Sequence, residues 1–584
     1  MITLKGIAAS PGICIGKAFL FDIRQVSVIK KRISKESIPK EISRFEEALI
    51  KTRSEILKIQ ENISKEMGLE HAEIFNAHLL VLEDRMIIDE VINRLKTEHH
   101  NVEYIFTNVL KKYITVFQKM DDEYLRERIS DIEDVGKRML RNLMGIKRRT
   151  LADIKEKVIV VAYDLSPSDT ATMHKQNVIG FITDIGGKTS HTAIMAKSLE
   201  IPAVVGLEIA TGEVKSGDIL IIDGMTGVVC VNPDKKTLLK YQKEERKYTK
   251  FTKELEDLRE LPCQTKDGKG IEISANIELP EEIPSVISHG GKGIGLYRTE
   301  YFYMNRDDLP SEEEQYRAYR DVAEKLKPDA VIIRTLDLGG DKFLSQLEVP
   351  REMNPFLGWR AIRLSLAKPG LFKVQLRAIL RASAYGNVKV MYPMISGVEE
   401  VDAANKLLNS AKKELRDKNI SFDKNMEVGV MIEIPSAALI ADIIAKRVDF
   451  FSIGTNDLIQ YALAVDRVNE KIAYLYEPVH PAVLRLIKRI VDAAHKSKIW
   501  VGMCGEMAGE VAFAPLLVGL GLDEFSAPAV AIPQIKKIIR SVNYEDAKKL
   551  SEKALTLSTG KEVEDLISRY FREILRGDTQ QHEK

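Results

Sequence analysis

Between Ser37 and Leu143 apolar residues recur at helical spacing, as at Ile42, Phe45, Leu49 and Ile56, while glycine and proline almost vanish. The pattern predicts a bundle of about four helices, broken at Met67-Gly68-Leu69, at Glu98-His99-His100-Asn101 and at Asp121-Asp122. On either side the texture differs. Residues 2–21 cluster apolar groups around Gly6, Pro11, Gly12 and Gly16, and β-branched runs return at Val158–Val161, Val178–Ile182 and Ile219–Ile222. These runs predict one α/β domain, residues 1–22 and 147–231, with the bundle of residues 23–146 inserted into it.

Next comes a charged stretch in which Tyr241, Tyr248, Phe251, Leu255 and Leu258 keep an a/d-like spacing. It predicts one long amphipathic connecting helix within 232–261. The remaining half is serial. Strand-like runs recur at Ile271–Ala275, Gly293–Leu296, Ala330–Ile333, Val388–Tyr392, Val428–Ile432, Phe450–Ile453, Ile499–Met503 and Leu522–Phe525, with helical patterns between most of them. Eight βα repeats predict a C-terminal (β/α)8 TIM-type barrel over 262–576, followed by a polar tail, 577–584, expected to fray.

Composition narrows the class. The 584 residues are 45% hydrophobic and 30% charged, with a formal net charge of +1, which describes a globular multidomain chain without an electrostatic footprint for nucleic acid. The four cysteines, Cys14, Cys230, Cys263 and Cys504, form no CxxC pair, so neither a disulfide framework nor a zinc site is indicated. The N-terminus lacks a signal-peptide pattern and no apolar run approaches a membrane span, so a cytoplasmic protein is expected.

Two groups of residues carry candidate chemistry. In Asp184-Ile-Gly-Gly-Lys-Thr-Ser-His191-Thr-Ala-Ile-Met-Ala, two glycines permit a tight turn and Thr189 or Ser190 can cap a helix. Its positive end would favour an anion beside His191, whose neutral imidazole is also a nucleophile. In the second half, polar residues follow the predicted strands, where a barrel builds its active site. These are Arg298 and Glu300, Arg334 and Asp337, Glu433, Asn456 and Asp457, Arg467, and Cys504 with Glu506. Planar arginine forks suit phosphate and carboxylate, while Glu433 and Asp457 are hard ligands suited to Mg²⁺. Together they point to a small, highly anionic phosphorylated acid. At its strand end, Cys504 is a candidate proton donor to a carbon centre, with a thiol pKa near neutrality.

Most of these residues, Glu433 and Arg467 apart, lie in segments that resemble the enzyme I family of the bacterial phosphoenolpyruvate:sugar phosphotransferase system, and the resemblance covers almost the whole chain. The segments are Gly186–Ala196 with Leu199–Gly206, Asp449–Gln460, Gly295–Glu300, Arg334–Lys342, Asn354–Arg360 and Met503–Gly509. The resemblance implies a relay through a swivelling phosphohistidine domain. Phosphoenolpyruvate is held by Arg298, Arg334, Arg467, Asn456 and Asp457, with Mg²⁺ on Glu433 and Asp457. His191 takes the phosphoryl group on Nε2, Thr170 orients its ring, and Cys504 protonates the enolate to pyruvate.

The resemblance further implies transfer to the phosphocarrier protein HPr, docked on the bundle near Glu70–His78 and Asp121–Arg128, and a homodimer formed through the barrel. Phosphoenolpyruvate synthase and pyruvate phosphate dikinase resemble this family in the histidine motif and barrel. They need a large nucleotide-grasping domain before the histidine, where this chain has a helical pattern and no Gly-rich phosphate loop. Two departures from the family pattern stand out, Glu278-Leu-Pro after the first barrel strand and Ser526-Ala-Pro-Ala after the last. Both are expected to leave the ligands untouched.

Overall fold

The computed structural model describes residues 1–21, 28–67, 78–79, 81–118, 132, 135–145, 151, 154–165, 177–187, 192–193, 196, 201–303, 308–338, 354–467, 469 and 471–581. The chain divides into two compact units, Met1–Phe251 and Thr252–Lys584.

In the first unit eight strands form one sheet: β1 (Ile2–Lys5), β2 (Ile7–Ser10), β3 (Ile13–Phe21), β4 (Val158–Ala162), β5 (Val178–Thr183), β6 (Ala203–Val205), β7 (Ile219–Asp223) and β8 (Val228–Val231). Their order is β1-β8-β7-β3-β4-β5-β6-β2, with β3 to β6 parallel. A single residue, Gly6, joins strands at opposite edges of this order, so the sheet curls until its edges meet. Gly6 donates its N–H to Gly227 O at 2.9 Å, and a Cβ on it would lie 2.6 Å from Val205 O, leaving room only for glycine. Apolar side chains cover both faces, Val160, Phe181 and Val205 on one and Ile159, Ile182 and Leu220 on the other.

The bundle supplies helices Ile38–Met67, Arg85–Glu98 and Val102–Gln118 and a helical run at 135–143, packed around Phe45, Val91, Phe106 and Met139. Asp84 caps the second helix by accepting from Met86 N at 2.7 Å, and His99 ends it with a left-handed φ of 55°. The break expected at Glu98-His99-His100-Asn101 falls at a helix end, while Gly68-Leu69 of the first expected break and Asp121-Asp122 lie outside the described residues. The connecting stretch is one helix, Lys235–Asp257.

The second unit is the expected barrel. Strands β9 (Glu272–Ile277), β10 (Ile294–Tyr297), β11 (Ala330–Arg334), β12 (Asn387–Tyr392), β13 (Val428–Ile432), β14 (Phe450–Ile453), β15 (Trp500–Met503) and β16 (Glu524–Ala527) close in sequence order, all parallel. The helices pack outside on one large apolar cluster. A second, smaller cluster of Leu296, Ile332, Met391, Met431, Phe450 and Cys504 fills the interior. Where a frayed tail is expected, helix Gly560–Gln581 instead continues as far as 581.

Candidate active site

The carboxyl ends of the barrel strands surround a cavity of about 570 Å³ lined by Arg298, Arg334, Glu433, Asn456, Asp457, Arg467 and Cys504. Residues up to 206 positions apart in sequence, Arg298 to Cys504, meet because each stands at or just beyond the end of a stave. Seven of the nine proposed site residues therefore share one cavity. The other two, His191 and Thr170, lie outside the described residues, as do 70–77 and 121–128 of the segments assigned to HPr; His78 is described and buried. Near the His191 motif Gly186 adopts a φ of 127°, a turn conformation suited to glycine, and Thr192 and Ala193 are helical; the candidate caps Thr189 and Ser190 lie outside the described residues.

Arg334 is the most deeply held of the arginines that line the cavity. Its Nη2 pairs with Glu300 Oε1 at 2.8 Å and its Nη1 with Asp337 Oδ2 at 2.9 Å, and Asp337 Oδ1 pairs in turn with Arg360 Nη2 at 2.9 Å. Burial alone would lower the pKa of Arg334, but the Glu300 and Asp337 carboxylates outweigh it and the net shift is upward. Glu300 is itself raised by burial, partly countered by Arg334. The arrangement holds two guanidinium planes against the cavity. Arg360 was visible in the sequence only as the end of a motif without a role, because no spacing reveals that it shares Asp337 with Arg334.

At the rim, Arg467 Nη1 pairs with Glu506 Oε1 at 2.6 Å, and Asn456 Nδ2 donates to the same oxygen at 3.0 Å. The Glu506 N–H donates back to Asn456 Oδ1 at 2.8 Å, tying two cavity-lining residues to one carboxylate. Gly505 permits this close approach, since a Cβ there would overlap Thr455 Oγ1. Across the cavity Arg298 Nη1 pairs with Glu278 Oε1 at 2.6 Å. This corrects the expectation that the Glu278-Leu-Pro departure leaves the ligands untouched. The second departure also reaches the site: Ser526 Oγ donates to Asn276 Oδ1 at 2.6 Å, and Asn276 Nδ2 donates to Cys504 O at 3.1 Å.

Glu433 and Asp457 fit a divalent cation. Glu433 Oε1 accepts from Met394 N at 2.5 Å, whereas its buried Oε2 has no partner. A Cβ on Gly454 would lie 2.8 Å from that oxygen, so glycine keeps the space open. Burial first, and then Asp457 and Asp337, push Glu433 well above the usual carboxylate range; burial and Asp337 likewise raise Asp457. Among the described residues neither forms an ion pair, and no group of three or more His, Cys, Asp or Glu could hold a metal alone. A cation here would complete its shell with water and substrate oxygens.

Cys504 is 2% exposed, and burial pushes its thiol up to about 11, well above the near-neutral value expected from sequence. Desolvation of the thiolate is the reason. The sulfur therefore keeps its proton at pH 7, which suits an acid rather than a nucleophile.

Three family models match the chain: "PEP-utilising enzyme, PEP-binding domain" over residues 252–544, "PEP-utilising enzyme, N-terminal" over 5–128 and "PEP-utilising enzyme, mobile domain" over 154–227. The barrel and its anionic-substrate site are thus those of a PEP-utilising enzyme. The chain is 47% identical to a phosphoenolpyruvate-protein phosphotransferase of Staphylococcus carnosus, covering 97% of this chain and 99% of the relative. It is equally 47% identical to one of Bacillus subtilis, covering 98% and 100%. An NMR solution structure of Enzyme I aligns with 42% of this chain and 99% of its own at 50% identity, with a TM-score of 0.38. The chain belongs to the phosphoenolpyruvate-protein phosphotransferase family and is an enzyme of that class. No helix among the described residues is long and apolar enough to cross a membrane.

Proposed function

We propose that the barrel binds phosphoenolpyruvate and that its phosphoryl group passes to His191 Nε2 and then to the histidine of HPr, leaving pyruvate. The observation that carries this reading is the convergence of Arg298, Arg334, Arg467 and Asn456 with the Glu433 and Asp457 pair on one cavity that Cys504 also lines. The guanidinium groups hold phosphate and carboxylate oxygens, and substrate displaces the Glu278 and Glu506 carboxylates from Arg298 and Arg467. Glu433 and Asp457 would hold Mg²⁺, which when bound neutralises charge on phosphate and enolate oxygens. Arg334, fixed from behind by Glu300 and Asp337, offers a preorganised charge to the departing enolate. The Cys504 thiol then protonates C3.

In this reading residues 1–22 and 147–231 form the phosphohistidine domain, with Thr170 orienting the ring. Residues 23–146 receive HPr, 232–261 link the parts, and the barrel of 262–576 pairs two copies in a cytoplasmic homodimer. One histidine serving a donor and an acceptor requires its domain to swing. Rapid-quench measurement of pyruvate tests the chemistry: Cys504→Ala slows the first turnover by about 10²- to 10⁴-fold while phosphoenolpyruvate still binds. A first turnover at the wild-type rate would remove Cys504 from the reaction.

A further inference from the structure

Below the cavity, the barrel interior holds a carboxyl group that the proposed reaction does not use. Glu524, on β16, is 3% exposed, and its Oε2 is buried without a hydrogen-bond partner. The strand register places it laterally. Ser452 on β14 pairs with Gly502 on β15, and Gly502 pairs with Glu524, so the three positions lie side by side across adjacent staves. Gly502 has no side chain to separate its neighbours, and a Cβ there would overlap the unpartnered Oε2 of Glu524. That oxygen therefore leans over Gly502 towards β14. Ser452, fully buried, also has a hydroxyl without a partner in the folded chain. The same hydroxyl lies beside the sulfur of Cys504, one same-face step above Gly502, close enough to lower the thiol pKa though not in a formed hydrogen bond.

We propose that Glu524 and Ser452 form a proton relay that recharges Cys504 from inside the barrel. The inference rests on Cys504 being the donor to C3. Once its proton has gone to the enolate carbon, a thiolate remains, and product in the cavity keeps water from it. Ser452 and Glu524 are not bonded to each other at rest, and a turn of the Glu524 carboxyl across the open Gly502 position closes the gap: the Ser452 Oγ–H proton moves to Sγ while Ser452 takes the proton of Glu524 Oε2, leaving a carboxylate. One proton from water at the lower rim restores Glu524, so each cycle moves one proton from solvent to C3.

The groups facing Glu524 fit this task. Burial raises its carboxyl to about 7, against the Ser274 hydrogen bond; Glu272 on β9 raises it further and Lys389 on β12 lowers it. Glu524 thus holds a proton near neutrality more loosely than Cys504, at about 11, so transfer runs towards the sulfur. Glu272, exposed at the lower rim, provides the solvent side. Ser452 and Glu524 act through Cys504 and do not touch the substrate.

The test compares first-turnover pyruvate formation with steady-state transfer to HPr in the full-length chain across pH 5.5–9. Glu524→Gln is expected to slow the steady state at least about tenfold more than the first turnover and to flatten its pH profile near 7. Ser452→Ala should do the same and Ser452→Thr, which keeps the hydroxyl, should restore turnover. If Glu524→Gln fails to fold, the Ser452 pair decides. Wild-type steady-state rates and pH profiles in Glu524→Gln and Ser452→Ala, beside a slowed first turnover in Cys504→Ala, would overturn the relay alone. An unslowed first turnover in Cys504→Ala would instead overturn the donor assignment beneath it.

Discussion

In the sheet of the first unit both faces bury mainly aliphatic and aromatic side chains, whereas the barrel carries Arg334, Ser452 and Glu524 within its staves and Glu433 just beyond one. The contrast separates two ways of housing chemistry. A sheet so apolar leaves a reactive group only the segment beyond a strand, and the proposed nucleophile follows the glycine turn after β5. The barrel builds charge into its interior and balances it with neighbours, as Glu300 and Asp337 balance Arg334. Loss of function in the first unit should therefore be confined to a residue, while in the second it should spread into stability.

The sharpest break in that contrast is His191→Ala. It is expected to abolish phosphoenzyme formation, by a factor on the order of 10⁶, with little change in the melting of either unit, as followed by labelled-phosphate incorporation and calorimetry. Arg334→Ala should behave oppositely. It leaves Glu300 without its ion-pair partner and Asp337 with Arg360 alone, and is expected to cost the barrel about 3–5 kcal/mol in addition to substrate binding, read by denaturant unfolding.

Glu524 gives the pH-dependent version. Its folded pKa, about 7, lies above an ordinary carboxyl value, so its contribution is fully present below the unfolded pKa and is lost as pH rises through 7. Barrel stability should fall by about 3 kcal/mol between pH 4.5 and 8, and Glu524→Gln should remove that dependence. The smallest effect is at the rim. The half-exposed Glu278 is worth only about 0.2–1 kcal/mol to Arg298, so Glu278→Gly should lower the KM for phosphoenolpyruvate less than about fivefold and leave kcat unchanged.

The same contrast explains what the sequence discloses. All eight barrel strands are legible because each is a short apolar run between helical patterns, and residues just after a strand inherit a predictable place. Arg298, Arg334, Glu433 and Asp457 could be named for that reason. Their partners could not. That Asp337 joins Arg334 to Arg360, or that Glu278 reaches Arg298, depends on neighbouring staves brought together by closure. The raised thiol of Cys504 depends on desolvation, which no motif displays. The relay residues were hidden further, since Ser452 and Glu524 sit 72 positions apart and become neighbours through Gly502.

The central claim, that the barrel delivers a phosphoryl group to the histidine of the glycine turn, is tested most directly by peptide mapping. The full-length chain is incubated with labelled phosphoenolpyruvate and a divalent cation, without nucleotide, and the acid-labile phosphate is located by mass spectrometry. The account predicts one phosphate per chain on His191, with one pyruvate released. Label on another residue, or label that appears only when ATP is supplied, would contradict it.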